Sequence, residues 1–162
     1  MHAHEMIATH PQVRGDTNEV LIDCIEACLD CAQVCASCAD ACLAEPHVAE
    51  LTQCIRLNQD CSDLCNTTAM VASRRTGSNE LVIKKLIDAC AEACRLCGDE
   101  CADHAAMMAH CRICAETCRR CEADANLLGR LRDLGHLPLP LLLFHHGGHS
   151  LRGGARHAAR AL

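Results

Sequence analysis

The stretch CIEACLDCAQVCASCADAC, residues 24–42, carries cysteine at positions 24, 28, 31, 35, 38 and 42. The steps between them run four, three, four, three, four. At about 100° per residue, the whole run makes five complete turns, so Cys24, Cys28, Cys31, Cys35, Cys38 and Cys42 line one face of an α-helix. That stripe is about 27 Å long at a rise of about 1.5 Å per residue. The same spacing returns at Cys90, Cys94, Cys97 and Cys101, and again at Cys111, Cys114, Cys118 and Cys121. A fourth run has Cys54, Cys61 and Cys65, with Asn58 in the register position that would complete it. These are a and d positions, which point into a helical bundle.

Outward from these runs, the breakers delimit four helical segments. Asp16 and Thr17 are candidate N-caps, with Glu19 three residues after Asp16 in capping-box fashion. The first helix is expected over about 18–44. Pro46 suits the first turn of a second, over about 46–74. Thr76-Gly77-Ser78 punctuates before a third over about 79–104, and a fourth covers about 108–126 or a little beyond. No alternating β-branched pattern occurs. Long helices joined by short links predict an all-α fold, an antiparallel four-helix bundle with a cysteine-lined core. Leu21, Ile25 and Leu29, off the thiol stripe, either close the bundle or meet another chain.

Composition divides the chain of 162 residues into a polar N-terminal segment 1–17, the bundle 18–126 and a tail 127–162. Residues 1–126 hold 20 Asp/Glu and 10 Lys/Arg, whereas 127–162 hold 1 and 5, with five histidines and no cysteine. The tail has no sustained period and is expected to be disordered. A net charge of −6 opposes phosphate backbones, and a chain without Trp or Tyr and with a single Phe offers no stacking platform, so no nucleic-acid partner is expected. The longest apolar stretch, Leu137 to Phe144, holds two prolines and is too short to span a bilayer, so no membrane role is expected. No basic leader followed by an apolar run opens the sequence, which predicts a soluble, cytosolic protein.

Seventeen interior thiols admit four readings. Cysteine can serve as a small hydrophobe, but seventeen of them with no aromatic filler make a thin core. Disulfides suit neither an odd count, nor a reducing compartment, nor neighbours one helical turn apart. The C-x-x-C pairs suggest zinc or an iron–sulfur cluster, yet structural zinc sites are separate closed tetrahedra rather than a continuous stripe. Cu(I) is the reading that chemistry favours, because thiolates are soft ligands and this ion accepts low coordination numbers. Thiols one turn apart can grip one ion, and the next ion continues along the stripe. One Cu⁺ per thiolate is neutral overall, which matters because bare charge is prohibitive in a dry core. A thiol–disulfide enzyme is the alternative from another class. The pairs lie mid-helix, away from the helix N-termini and cations that lower a thiol pKa, so no catalytic role is expected.

The runs Cys24–Cys42, CIRLNQDCSDLC (Cys54–Cys65), CAEACRLCGDEC (Cys90–Cys101) and CRICAETCRRC (Cys111–Cys121) resemble the bacterial copper storage proteins, in particular their cytosolic branch. The resemblance spans residues 18–126, with four cysteine runs matching in order and spacing. It implies a four-helix bundle assembled as a homotetramer, whose inward cysteines bind many Cu(I) ions for storage and sequestration. A copper-exchanging protein or a small thiol is a further expected partner. The exported branch carries a twin-arginine leader; here Arg74-Arg75 lies mid-chain. Asn58 and the cysteine-free tail depart from the pattern.

In an antiparallel bundle the first and third connections share an end. That end gathers His47, His104, Met107, Met108 and His110 near Cys42, Cys54, Cys101 and Cys111. Imidazole and thioether bind Cu(I) without first losing a proton, so this end reads as the mouth, with His104 and His110 as its foremost ligands. The resemblance supports it, since histidine stands at this junction in the family. Met70, Val71, Leu81 and Ile83 make the opposite end an apolar closure.

Overall fold

The structure, a computed structural model, describes residues 2–133. The region 134–162, which holds most of the expected disordered tail, lies outside the described residues. A short helix α1 (Ala3–Ala8) precedes four long ones: α2 (Glu19–Leu43), α3 (Thr52–Ala72), α4 (Glu80–His104) and α5 (Ala109–Asp133). A 3-10 turn, Val48–Leu51, leads into α3. No strand occurs among the described residues.

The long helices form a square. α2 packs on α3 and α5, and α4 packs on the same two, leaving α2/α4 and α3/α5 as diagonals. Neighbours run antiparallel: Cys42 meets Cys54 near one end of the α2–α3 pair, and Cys31 meets Cys61 further along it. Diagonal partners run parallel. Cys28 meets Cys90, Cys31 meets Cys94 and Cys35 meets Cys97, at sequence separations of 62 or 63. An all-α antiparallel bundle with its cysteines in the core is what the stripe spacing dictates.

Local chemistry moves several boundaries. Asn18, and not Asp16 or Thr17, caps α2: its backbone is extended and its side chain accepts from Leu21 N–H at 3.0 Å. Glu19 takes a hydrogen bond from the Thr17 hydroxyl instead of closing a capping box. Pro46 stands in the turn before the 3-10 segment rather than in the first turn of α3. The last helix continues past residue 126 to Asp133, because Ala125 and Leu128 extend its apolar face into the core.

The segment before α2 is more than a polar leader. α1 packs against α2 and buries Ile7, and Val13 is buried after it. Leu21 and Ile25 are each 1% exposed within the single chain, so they close the bundle, while Leu29 packs at its edge. His10 Nε2 lies 3.4 Å from the Thr76 hydroxyl, tying this segment to the α3–α4 turn at the end opposite the mouth. Between α4 and α5, Gly98 permits close approach: a Cβ there would stand 3.2 Å from Cys118 Cβ.

Candidate metal centre

All seventeen cysteines are free thiols and all are buried. Helical periodicity alone places them on inward faces, and the square packing then brings sulfurs from four helices together. Sulfur–sulfur contacts run from 3.4 Å (Cys65–Cys90) to 4.0 Å (Cys42–Cys54). Pairs one turn apart on the same helix contribute too, at 3.8 Å for Cys31–Cys35 and 3.9 Å for both Cys61–Cys65 and Cys114–Cys118.

The sulfurs group into sites whose ligand atoms lie within 4.8 Å of one another. Cys28, Cys90 and Cys121 form one; Cys31, Cys65, Cys94 and Cys121 another; Cys31, Cys35, Cys61 and Cys118 a third; Cys35, Cys97, Cys114 and Cys118 a fourth. Cys31, Cys35, Cys118 and Cys121 each belong to two groups, so the sites are rungs of one ladder rather than closed tetrahedra. With metal–thiolate bonds of about 2.3 Å, sulfurs of one trigonal or tetrahedral site stand about 3.8–4.0 Å apart, which is the spacing here.

Burial holds the Cys42 and Cys111 thiols at the mouth in the protonated form. Burial pushes Cys111 from the ordinary 9.0 up to about 11, and burial likewise pushes Cys42 up. Deeper, contacts with Cys114 and Cys118 raise Cys35, with burial adding to them. Contacts with Cys114, Cys38 and Cys54 raise Cys101, and the contact with Cys101 lowers Cys54. A metal ion that displaces these protons also removes the charge problem, since each thiolate gains a cation partner.

The expected mouth is assembled only in part. Nδ1 of His110 lies 3.5 Å from the sulfurs of both Cys38 and Cys111 and 4.0 Å from that of Cys42, making a mixed four-ligand group. A surface cleft of about 160 Å³, lined by Gln33, Val34, Ser37, Cys38, His110 and Ile113, opens on this group between α2 and α5. His104 Nε2 stands 3.5 Å from Glu100 Oε1 on its own helix. Met108 packs against the core, whereas His47 and Met107 are exposed. The opposite end closes with Leu21, Thr68, Ile87, Ala125 and Leu128, all buried, together with Ile83 and, packed at the edge, Val71 from the four residues expected there. Of those four, Ile83 is buried, while Met70 and Leu81 are exposed. Met70 and Leu81 sit off the thiol registers, whereas Ile83 continues that of α4 one turn before Ile87.

Glu45 is a participant that the cysteine pattern did not single out. Its carboxylate lies 3.1 Å from Nε2 of His110. A signal existed: the alternating steps of α2 predict the next stripe position at 45, three residues past Cys42. Asn58, flagged as an interruption, is completely buried among sulfurs.

A helical bundle whose core is a continuous thiol ladder with one histidine-bearing mouth defines a protein for soft, thiophilic metal ions. The chain belongs to the copper storage protein family, whose model matches residues 17–128. Among solved structures it is similar to the copper storage protein Ccsp of Streptomyces lividans loaded with 10 copper equivalents. That match has 50% identity and a TM-score of 0.75, and covers 79% of this chain and 98% of the other. Cu(I)-bound copper storage protein BsCsp3 matches at 35% identity and TM-score 0.58, over 65% of this chain and 94% of that one. An uncharacterized cysteine-rich protein of Bacillus subtilis, YhjQ, is 37% identical over 98 residues, 60% of this chain and 85% of that protein.

Proposed function

We propose that this protein stores and sequesters Cu(I) in the cytoplasm, with the seventeen buried cysteines as thiolate ligands and His110 as the imidazole at the mouth. The observation that carries the reading is the sharing of Cys31, Cys35, Cys118 and Cys121 between neighbouring sites. Shared sulfurs suit monovalent ions at about one per thiolate, which leaves the core neutral. Separate zinc tetrahedra would each carry excess negative charge into the same dry interior. The role is sequestration rather than catalysis. The S. lividans relative is described as a cytosolic copper storage protein, and among the described residues of this chain no helix is long and apolar enough to cross a membrane.

Loading is an exchange in which each thiol S–H gives up its proton as a Cu–S bond forms, so protons leave as copper enters. His104 is assigned to the same mouth as a second-line ligand, held by Glu100 until copper arrives. Assembly as a homotetramer is supported by apolar side chains left exposed on the outer faces of α4 and α5, Leu96, Ile113 and Leu127 among them. The donor or recipient is a copper-exchanging protein or a small thiol able to reach the cleft beside Cys38.

An anaerobic titration of the reduced protein with Cu(I), against a competing chromophoric chelator, tests the function. Uptake of more than ten ions per chain is expected, in line with the seventeen thiols. Saturation at one to four ions would replace storage with a discrete metal site or a thiol redox role.

A further inference from the structure

The end of the bundle opposite the mouth carries a cavity of about 260 Å³ at the α3–α4 turn. Its apolar wall is Val71 and Ile83, and its polar wall is Arg74, Arg75, Thr76 and Ser78, side chains that offer hydrogen-bond donors. Arg75 donates from Nη2 to the Ala72 carbonyl, whereas its Nε–H is buried and has no partner among the described residues. Leu81 and Val82 stand between the cavity-lining residues Glu80 and Ile83, and they are 79% and 45% exposed. The chain leaves α5 at this same place. Asp133 accepts from Lys84 Nζ at 3.0 Å, and Arg132 Nη2 donates to the Glu80 carbonyl at 3.2 Å, so the end of α5 is pinned beside the cavity rim.

We infer that the segment Leu137–Phe144 of the same chain turns back from α5 and docks in this cavity, covering Leu81 and Val82 and sealing the end opposite the mouth. Reach allows it, since Leu137 follows Asp133 by four residues, at most about 14 Å of chain. The segment, LPLPLLLF, fits both walls. Its leucines and Phe144 match Val71, Ile83 and the exposed rim. Proline has no N–H, and the residue before a proline is held extended, so Leu137-Pro138-Leu139-Pro140 presents carbonyl oxygens without internal partners. Those acceptors suit a wall of donors, and the buried Nε–H of Arg75 is the one that needs an acceptor most. A small oxyanion would satisfy the donors but leave Leu81 and Val82 in water. Charge favours the return as well: residues 134–162 hold Arg152, Arg156 and Arg160 and no acidic residue, against a bundle with an acidic excess. The disorder expected of the tail is thereby confined to residues 145–162.

Phe144 is the single phenylalanine of the chain, so para-fluorophenylalanine incorporated in the full-length protein gives one fluorine resonance. That resonance is expected to be broad and displaced from its position in urea. Leu141→Asp, which alters the tail and leaves the bundle untouched, should return it to the urea position and narrow it several-fold. Arg75→Gln and Val82→Lys, on the cavity side, should do the same. Far-UV circular dichroism identifies any variant that does not fold, and if Arg75→Gln fails, Val82→Lys and Leu141→Asp decide. A narrow resonance at the urea position in the wild type would overturn the docking, as would a broad one that the folded variants leave unchanged. A wild-type resonance that narrows on dilution would put a second copy's tail in the cavity instead. If inorganic phosphate raises the melting temperature while the wild-type resonance is narrow, the cavity belongs to an oxyanion.

Discussion

Oε1 of Glu45 lies 3.1 Å from Nε2 of His110, so the opposite ring nitrogen, Nδ1, is the one that faces the sulfurs of Cys38 and Cys111 at 3.5 Å. The carboxylate fixes the orientation of the imidazole and reserves the Nδ1 lone pair for an ion, as second-layer carboxylates do at metal-binding histidines. Glu45→Ala is expected to weaken copper capture at the mouth by about 10–100-fold, the range such partners command. Glu45→Gln, which keeps an acceptor for Nε2–H, should recover part of that loss. Stopped-flow uptake of the first Cu(I) equivalents checks both variants, and equal rates for all three proteins would remove Glu45 from the mouth.

Thiol protonation sets a pH limit on the metal-free protein. Burial raises the Cys111 pKa from 9.0 to about 11, so the unfolded chain loses this proton first as pH rises. The stability tied to the neutral buried thiol is present in full below pH 9.0 and is lost as pH climbs through about 11, with Cys42 acting in the same direction. Melting temperature of the reduced apo protein should hold from pH 7 to about 9 and fall above it. A flat profile to pH 11 would contradict the burial argument.

Gly98 tests how closely α4 and α5 must approach. A methyl group there meets Cys118 Cβ at 3.2 Å, an atom anchored to its own helix backbone. Gly98→Ala gains up to ~1 kcal/mol of helix propensity and loses a similar amount to the contact, so it should be nearly neutral. Gly98→Val adds bulk without that gain and should destabilise by about 1–3 kcal/mol in urea unfolding of the apo protein. A neutral Gly98→Val would show that the two helices are free to separate.

Leu128 is fully buried although it lies beyond the last cysteine. Leu128→Ala should cost about 2–5 kcal/mol of apo stability, read from the urea midpoint, while leaving copper capacity unchanged. A loss of capacity would mean that the closed end takes part in binding.

The stripe spacing determined, from sequence alone, that the chain is helical and that its thiols point inward. Angular position on a helix depends only on residue separation, a local quantity that needs no knowledge of the partner helices. The soft-metal chemistry followed from the same residues, and the interruption at Asn58 was visible as a break in register. Other features were not legible. Asn18 outcompeted Asp16 and Thr17 for the cap because the chain enters α2 extended at that residue, and either choice satisfied the local pattern. That Ile7 and Val13 are buried, Ile7 on the helix that docks on α2, came from tertiary contact, their own segment being too short and polar to announce a core face. Only the square packing decided which sulfurs share a site, that His110 joins Cys38 and Cys111 while His104 rests on Glu100, and that Asn58 bonds sulfurs of α3, α4 and α5. Those pairings depend on the axial offset and rotation of each helix against the others. Both are set by the connecting turns and by close contacts such as Gly98 with Cys118, not by any residue's position along its own helix.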